Sequence, residues 1–104
     1  PYNGVTTTFE SLWMNVPVIV LKGFNFNSRC GESIIKNSKI DYLISSDIDD
    51  YIKKAVFLAQ NKDELENIKK ELSEKISSSP LFDNKKFAKN FEQSMLDVID
   101  KENL

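Results

Sequence analysis

Val16-Pro17-Val18-Ile19-Val20-Leu21 is the longest apolar run in this 104-residue chain, and it narrows the possible folds more than any other stretch. Six residues fall far short of a membrane span. The β-branched and aliphatic part, Val18 to Leu21, has the pattern of a parallel strand covered on both faces. What precedes it is helical. Phe9, Leu12, Trp13 and Val16 recur at i, i+3, i+4 and i+7 and share one face. Thr7 and Glu10 have capping-box spacing, which places the helix start near Thr7. Asn15 and Pro17 end it, because proline disfavours the α conformation in the residue before it. A helix leading straight into a buried parallel strand predicts an α/β fold with short strands and mostly helices.

The loop before that helix contains Gly4 and Val5 and delivers Thr6, Thr7 and Thr8 to the helix start. Free N–H groups and the positive end of the dipole suit such a site to a phosphate, with the hydroxyls as further donors. A second reading needs no ligand: Thr7 and Glu10 cap the helix for each other, worth about 0.5–2 kcal/mol. On these residues alone both stand.

Beyond the strand, Lys22-Gly23-Phe24-Asn25-Phe26-Asn27 is a loop with two aromatics. Loops at the carboxyl ends of strands face the ligand in open α/β sheets, although Phe24 and Phe26 can also pack the loop down. Ser28 caps a short helix carrying Ile34 and Ile35. Arg29 falls in its first turn, where a cation opposes the dipole, so a phosphate or an acid is expected beside it. Cys30 reads as a small buried residue. Tyr42-Leu43-Ile44 is a second short strand, and Asp47 and Asp50 open the next helix, whose broad apolar face includes Tyr51, Ile52, Val56 and Leu58. Leu65, Ile68, Leu72 and Ile76 mark a third helix from about Asp63 to Ser77. After the break at Ser77-Ser78-Ser79-Pro80, Asp83 caps a final helix with a stripe of Phe87, Phe91, Met95, Val98 and Ile99.

Charge and composition exclude several classes. A net charge of -2 argues against a nucleic-acid or anionic-membrane surface. The single cysteine, Cys30, rules out an internal disulfide and points to a reducing, cytoplasmic setting. With no histidine there is no His-based catalysis or His metal site, and no metal or cofactor is expected.

Pro1-Tyr2-x-Gly4-x-Thr6-Thr7-Thr8-x-Glu10-Ser11-Leu12-Trp13-Met14-x-Val16-Pro17-Val18 resembles the donor-binding segment of the O-linked N-acetylglucosamine transferase and SPINDLY glycosyltransferases (glycosyltransferase family 41). Ser28-Arg29-x-Gly31-x-Ser33, then Asp41-Tyr42-Leu43-Ile44, then Ser79-Pro80-Leu81-Phe82-Asp83 follow in the family's order. The resemblance implies the C-terminal portion of a Rossmann-like GT-B nucleotide-sugar-binding domain over residues 1–104, with 83–104 as its closing helix. It implies a diphosphate held at Gly4, Thr6, Thr7 and Thr8, a ribose at Glu10, and donor-loop contacts from Val5, Lys22 and Arg29. The transferase branch has a histidine at the position of Val5, and SPINDLY lacks it, so the donor is a UDP-sugar or a GDP-sugar. No residue here matches a general base. The missing first Rossmann-like domain, the tetratricopeptide repeats and the protein acceptor are the implied partners.

On this reading the chain is a donor-site piece of a protein O-glycosyltransferase, inactive alone. Two other readings compete, a noncatalytic helical interaction module and a generic phosphate-binding Rossmann-like domain. The stripe on the last helix is also expected either to bring self-association or to fold back over the core, since a small domain leaves it uncovered.

Overall fold

Left-handed residues decide where the first two helices stop. In the computed structural model, which describes residues 2–102, α1 spans Thr6–Trp13 and α2 spans Phe26–Asn37. Asn15 takes φ 60°, with its N–H on the Leu12 carbonyl at 3.0 Å and the Val16 N–H on the Ser11 carbonyl at 2.8 Å. These paired bonds are a Schellman ending, which satisfies two of the carbonyls that a helix end leaves free. Lys39, at φ 65°, follows α2 with one such bond, its N–H on the Lys36 carbonyl at 3.1 Å.

Between them lies β1 (Val20–Leu21), which pairs in parallel with β2 (Ile44–Ser45) in the register Val20 to Ile44 and Leu21 to Ser45. Both strands are shorter than expected. Tyr42 and Leu43 coil into a 3₁₀ turn over Asp41–Leu43, in which the Leu43 N–H bonds the Ile40 carbonyl at 3.0 Å. With those groups used locally, the ladder begins only at Ile44, and Val18 and Ile19 pack against the core outside it. The Tyr42 hydroxyl donates to Glu71 at 2.8 Å; partial burial, then that carboxylate, pushes the phenol's pKa well above its usual value.

α3 (Ile48–Gln60) starts as expected, with Asp47 accepting the Asp50 N–H at 2.8 Å. Its broad apolar face is only partly used: Leu58 reaches the core, while Ile52 and Phe57 stay about half exposed. α4 (Lys62–Ser78) buries Ile68, Leu72 and Ile76 as a stripe. Leu12, Ile35, Ile40, Leu43 and Leu72 form the fully enclosed centre.

The Ser79-Pro80-Leu81-Phe82-Asp83 segment ties the end of the chain to α1. Ser79 Oγ donates to the Asn37 carbonyl at 2.9 Å and accepts the Leu81 N–H at 3.2 Å. The Phe82 ring sits 5.0 Å from Trp13 and edge-on to Phe9 at 6.0 Å. Asp83 then caps α5 (Asn84–Glu102) through the Lys86 N–H, as expected. α5 packs against the 3₁₀ turn Pro80–Phe82 and projects from the body. The radius of gyration is 16.5 Å, against about 13 Å for a compact chain of this length. Residues 1, 103 and 104 lie outside the described part, and with them the first residue of the motif and the last two residues of the 83–104 span expected as the closing helix.

Candidate functional site

α1 begins without a side-chain cap among the described residues. The Thr7–Glu10 box does not form, because the helix starts one residue earlier: Val5 occupies the N-cap and Thr7 lies inside the first turn. Val5 cannot cap, since it has no oxygen to offer. The first intrahelical acceptor is the Val5 carbonyl, taken by the Phe9 N–H at 3.1 Å. The N–H groups of Thr6, Thr7 and Thr8 therefore point out of the helix start. The Thr6, Thr7 and Glu10 side chains are exposed. Thr8 is buried, and its hydroxyl donates to the Gly4 carbonyl at 2.9 Å, so what it offers a ligand is its amide. Gly4 lies close over this turn: a Cβ there would come within 2.9 Å of Thr7 Oγ1 and 3.1 Å of Thr8 Oγ1.

The loop after β1 is held by α2. Asn25, not Ser28, is the N-cap; its Oδ1 accepts the Ser28 N–H at 3.0 Å while Ser28 Oγ accepts the Asn25 N–H at 3.1 Å. The Asn25-x-x-Ser28 spacing carried that signal, with serine in place of the usual acid. Phe24 and Phe26 do not pack the loop down; both are exposed. They line a cleft of about 660 Å³ with Val5 and Phe9 on one side and Arg29, Cys30, Ser33 and Ile34 on the other. Cys30 is half-buried, its Sγ 3.1 Å from the Phe26 carbonyl. Of the expected site residues, Val5 and Arg29 meet at this cleft, while Thr6, Thr7 and Glu10 lie on the surface outside it.

The acid expected beside Arg29 is Glu32, one turn along the same helix. Its carboxylate is buried and collects Arg29 at 3.4 Å, Lys36 at 3.0 Å and Lys22 at 3.6 Å. Two of the expected donor-loop cations thus share one structural anion. The signal for Glu32 was the spacing of cations at i−3 and i+4 on one helix face. The Lys36 hydrogen bond, opposed by burial and aided by the three cations, holds the Glu32 pKa below its ordinary 4.5. A depressed folded-state pKa contributes stability above the unfolded value, lost as pH falls through the folded one. Glu32→Gln is accordingly expected to flatten the decline in stability below about pH 5, read by urea unfolding at a series of pH values. An unchanged profile would mean that the cluster is not coupled to folding.

Asn3, which stood as an unassigned position in the sequence motif, joins the loop to α2 at the motif glycine Gly31. The Gly31 N–H donates to Asn3 Oδ1 at 3.1 Å. A Cβ at Gly31 would fall 2.9 Å from Val20 Cγ1 and 3.2 Å from the Asn3 side chain. Glycine is what lets helix, strand and the Asn3 segment approach so closely.

A parallel strand–helix–strand unit, a helix start beside the strand's carboxyl end, and mostly helical surroundings define a piece of a Rossmann-like GT-B domain. The profile described as "Glycosyl transferase family 41" matches residues 2–91, and the chain belongs to that family. It is 38% identical over 92 residues to a tomato (Solanum lycopersicum) protein named "Probable UDP-N-acetylglucosamine--peptide N-acetylglucosaminyltransferase SPINDLY", covering 88% of this chain and 10% of that one. An Arabidopsis thaliana relative with the same enzyme name and the suffix SEC is 36% identical over 93 residues, with the same coverage. A mutant of the Thermobaculum terrenum O-GlcNAc transferase superposes with a TM-score of 0.84 at 29% identity, covering 91% of this chain and 18% of that chain. The chain thus spans about a tenth of the length of its curated relatives. Among the described residues no helix is long and apolar enough to cross a membrane.

Proposed function

We propose that this chain is the donor-diphosphate part of a protein O-glycosyltransferase that moves a sugar such as N-acetylglucosamine or fucose from a UDP- or GDP-sugar to a serine or threonine. The observation that carries the proposal is the uncapped start of α1, with three free amides and the exposed hydroxyls of Thr6 and Thr7 in a segment that matches family 41. An oriented set of neutral donors at the positive end of a helix stabilises the charge that develops on a leaving diphosphate. Glu10, one turn on, offers a carboxylate to the ribose hydroxyls. The remaining terms are positioning, supplied with the rest of the parent enzyme. A two-stranded parallel sheet is marginal by itself, which fits the C-terminal portion of a Rossmann-like domain whose other strands belong to the same sheet.

In a complete enzyme, Thr6→Ala with Thr7→Ala is expected to weaken nucleotide binding by about 2–4 kcal/mol, two lost bonds to a charged group. Since neither threonine caps the helix, stability should change by less than about 0.5 kcal/mol. Titration calorimetry beside thermal unfolding separates the two. Unchanged affinity would remove both residues from the site. In the same work the 104-residue chain alone is expected to transfer no sugar, and turnover by it would contradict the partial-site reading.

A further inference from the structure

We propose that Asn3 is a positioning residue for the diphosphate, acting through the loop of residues 2–5 that leads into α1. The inference rests on the donor-diphosphate reading above, which gave Asn3 no part. Residues 2–5 belong to no helix or strand, so the bonds they make to other segments fix their path. The Asn3 N–H donates to the Asn27 carbonyl at 3.1 Å, and Asn3 Oδ1 accepts the Gly31 N–H at 3.1 Å. Asn27 and Gly31 stand four apart on α2, the spacing at which a helix bonds to itself, so one residue grips a full turn from outside. The next residue completes the tie: the Gly4 carbonyl accepts the buried Thr8 hydroxyl at 2.9 Å. α2 thereby sets where the N–H groups of Thr6, Thr7 and Thr8 point.

Asparagine suits two demands at this position. Its carbonyl oxygen supplies the acceptor that Gly31 needs, and an aspartate would supply one equally well. Charge separates the two. Residues 2–9 are uncharged, and the α2 cations Arg29 and Lys36 are drawn to the buried Glu32. A carboxylate one residue before Gly4 would face a diphosphate at the α1 start with no countercharge in its own segment, and the two anions would repel. The neutral amide holds the loop without that repulsion.

The test uses a complete enzyme that includes this chain, with UDP and GDP binding read by titration calorimetry at low salt and at about 0.5 M salt. Asn3→Ala, which frees the loop, is expected to weaken binding of the nucleotide about tenfold relative to wild type at both salt concentrations. Asn3→Asp keeps the tie and adds the charge, so its affinity should fall about tenfold at low salt and return to within about twofold of wild type at high salt. A merely structural Asn3 would separate the two variants in thermal unfolding but not in this salt dependence. Should Asn3→Ala not fold, the Asn3→Asp comparison decides alone. Wild-type affinity in a folded Asn3→Ala, or an Asn3→Asp deficit that ignores salt, would overturn the proposal. Where Thr6→Ala with Thr7→Ala weakens binding and Asn3→Ala does not, the donor-diphosphate reading stands and the role of Asn3 alone falls. Where neither weakens it, both fall.

Discussion

Gly23→Ala is expected to lower the stability of this chain by about 3 kcal/mol, a large share of the 5–15 kcal/mol typical of a domain. A methyl group at that position would lie 2.1 Å from Ser28 Oγ and 2.2 Å from Ser28 Cβ, with the Ser28 carbonyl oxygen at 2.8 Å. None of these atoms can give way cheaply. Ser28 is 4% exposed, and its hydroxyl holds Asn25 in the reciprocal cap of α2. Making room means overpacking strain of about 1–3 kcal/mol plus loss of a cap worth about 1 kcal/mol. Because Gly23 lies two residues past β1 and immediately before Phe24, the change should also displace Phe24 and Phe26 from the cleft. Urea unfolding measures the first effect. Adding Ser28→Gly should recover part of it by removing the two nearest atoms, while the carbonyl contact remains. A single mutant within about 0.5 kcal/mol of wild type would show that the loop has room to move.

Leu72→Ala is expected to cost a similar amount, about 2–5 kcal/mol, by opening a cavity where the helices meet. Leu72 is fully buried at the middle of the α4 stripe, in one cluster with Leu12 of α1 and Ile35 of α2. Loosening that contact should loosen α1 as well, and with it the helix start proposed to hold the diphosphate. Hydrogen exchange should therefore report faster opening in α1 as well as α4, with Leu65→Ala, at a half-buried position on the same helix, costing clearly less. Equal costs at the two positions would place the centre of the core elsewhere.

Much of this architecture was legible in the chain itself, wherever a local rule and the tertiary environment asked for the same thing. Phe9 and Leu12 of the expected first-helix face (Trp13 is largely exposed and Val16 is exposed beyond the helix end), Asn15 as its stop, the Asp47 and Asp83 caps and the Ile68-Leu72-Ile76 stripe depend on neighbours within a few turns. Periodicity and capping chemistry therefore report them directly. The ordered motifs from Tyr2 to Asp83 also carried the family, because they name positions and not merely propensities.

Where two local rules competed, only the folded chain could choose. Thr7 and Glu10 had the spacing of a cap, yet the helix began at Thr6, leaving free the amides that a cap would have used. The buried Thr8 hydroxyl reaches back to Gly4, an attachment that spacing alone did not signal. The second strand was cut short because a parallel ladder exists only where two segments lie side by side, a fact about residues more than twenty positions apart. Long-range contact also explains Gly31, which meets Val20 and Asn3, and the Lys22 partner of Glu32, whose other two cations stand on its own helix. A carboxylate becomes buried and shared by three cations, and a glycine becomes irreplaceable, only when another segment arrives against it. The chain by itself determined which elements form and to which family they belong; tertiary packing decided which polar groups are spent inside the fold and which stay open at its surface. The physical reason is that hydrogen bonds and close contacts across the fold are set by three-dimensional approach, for which one-dimensional spacing carries no term.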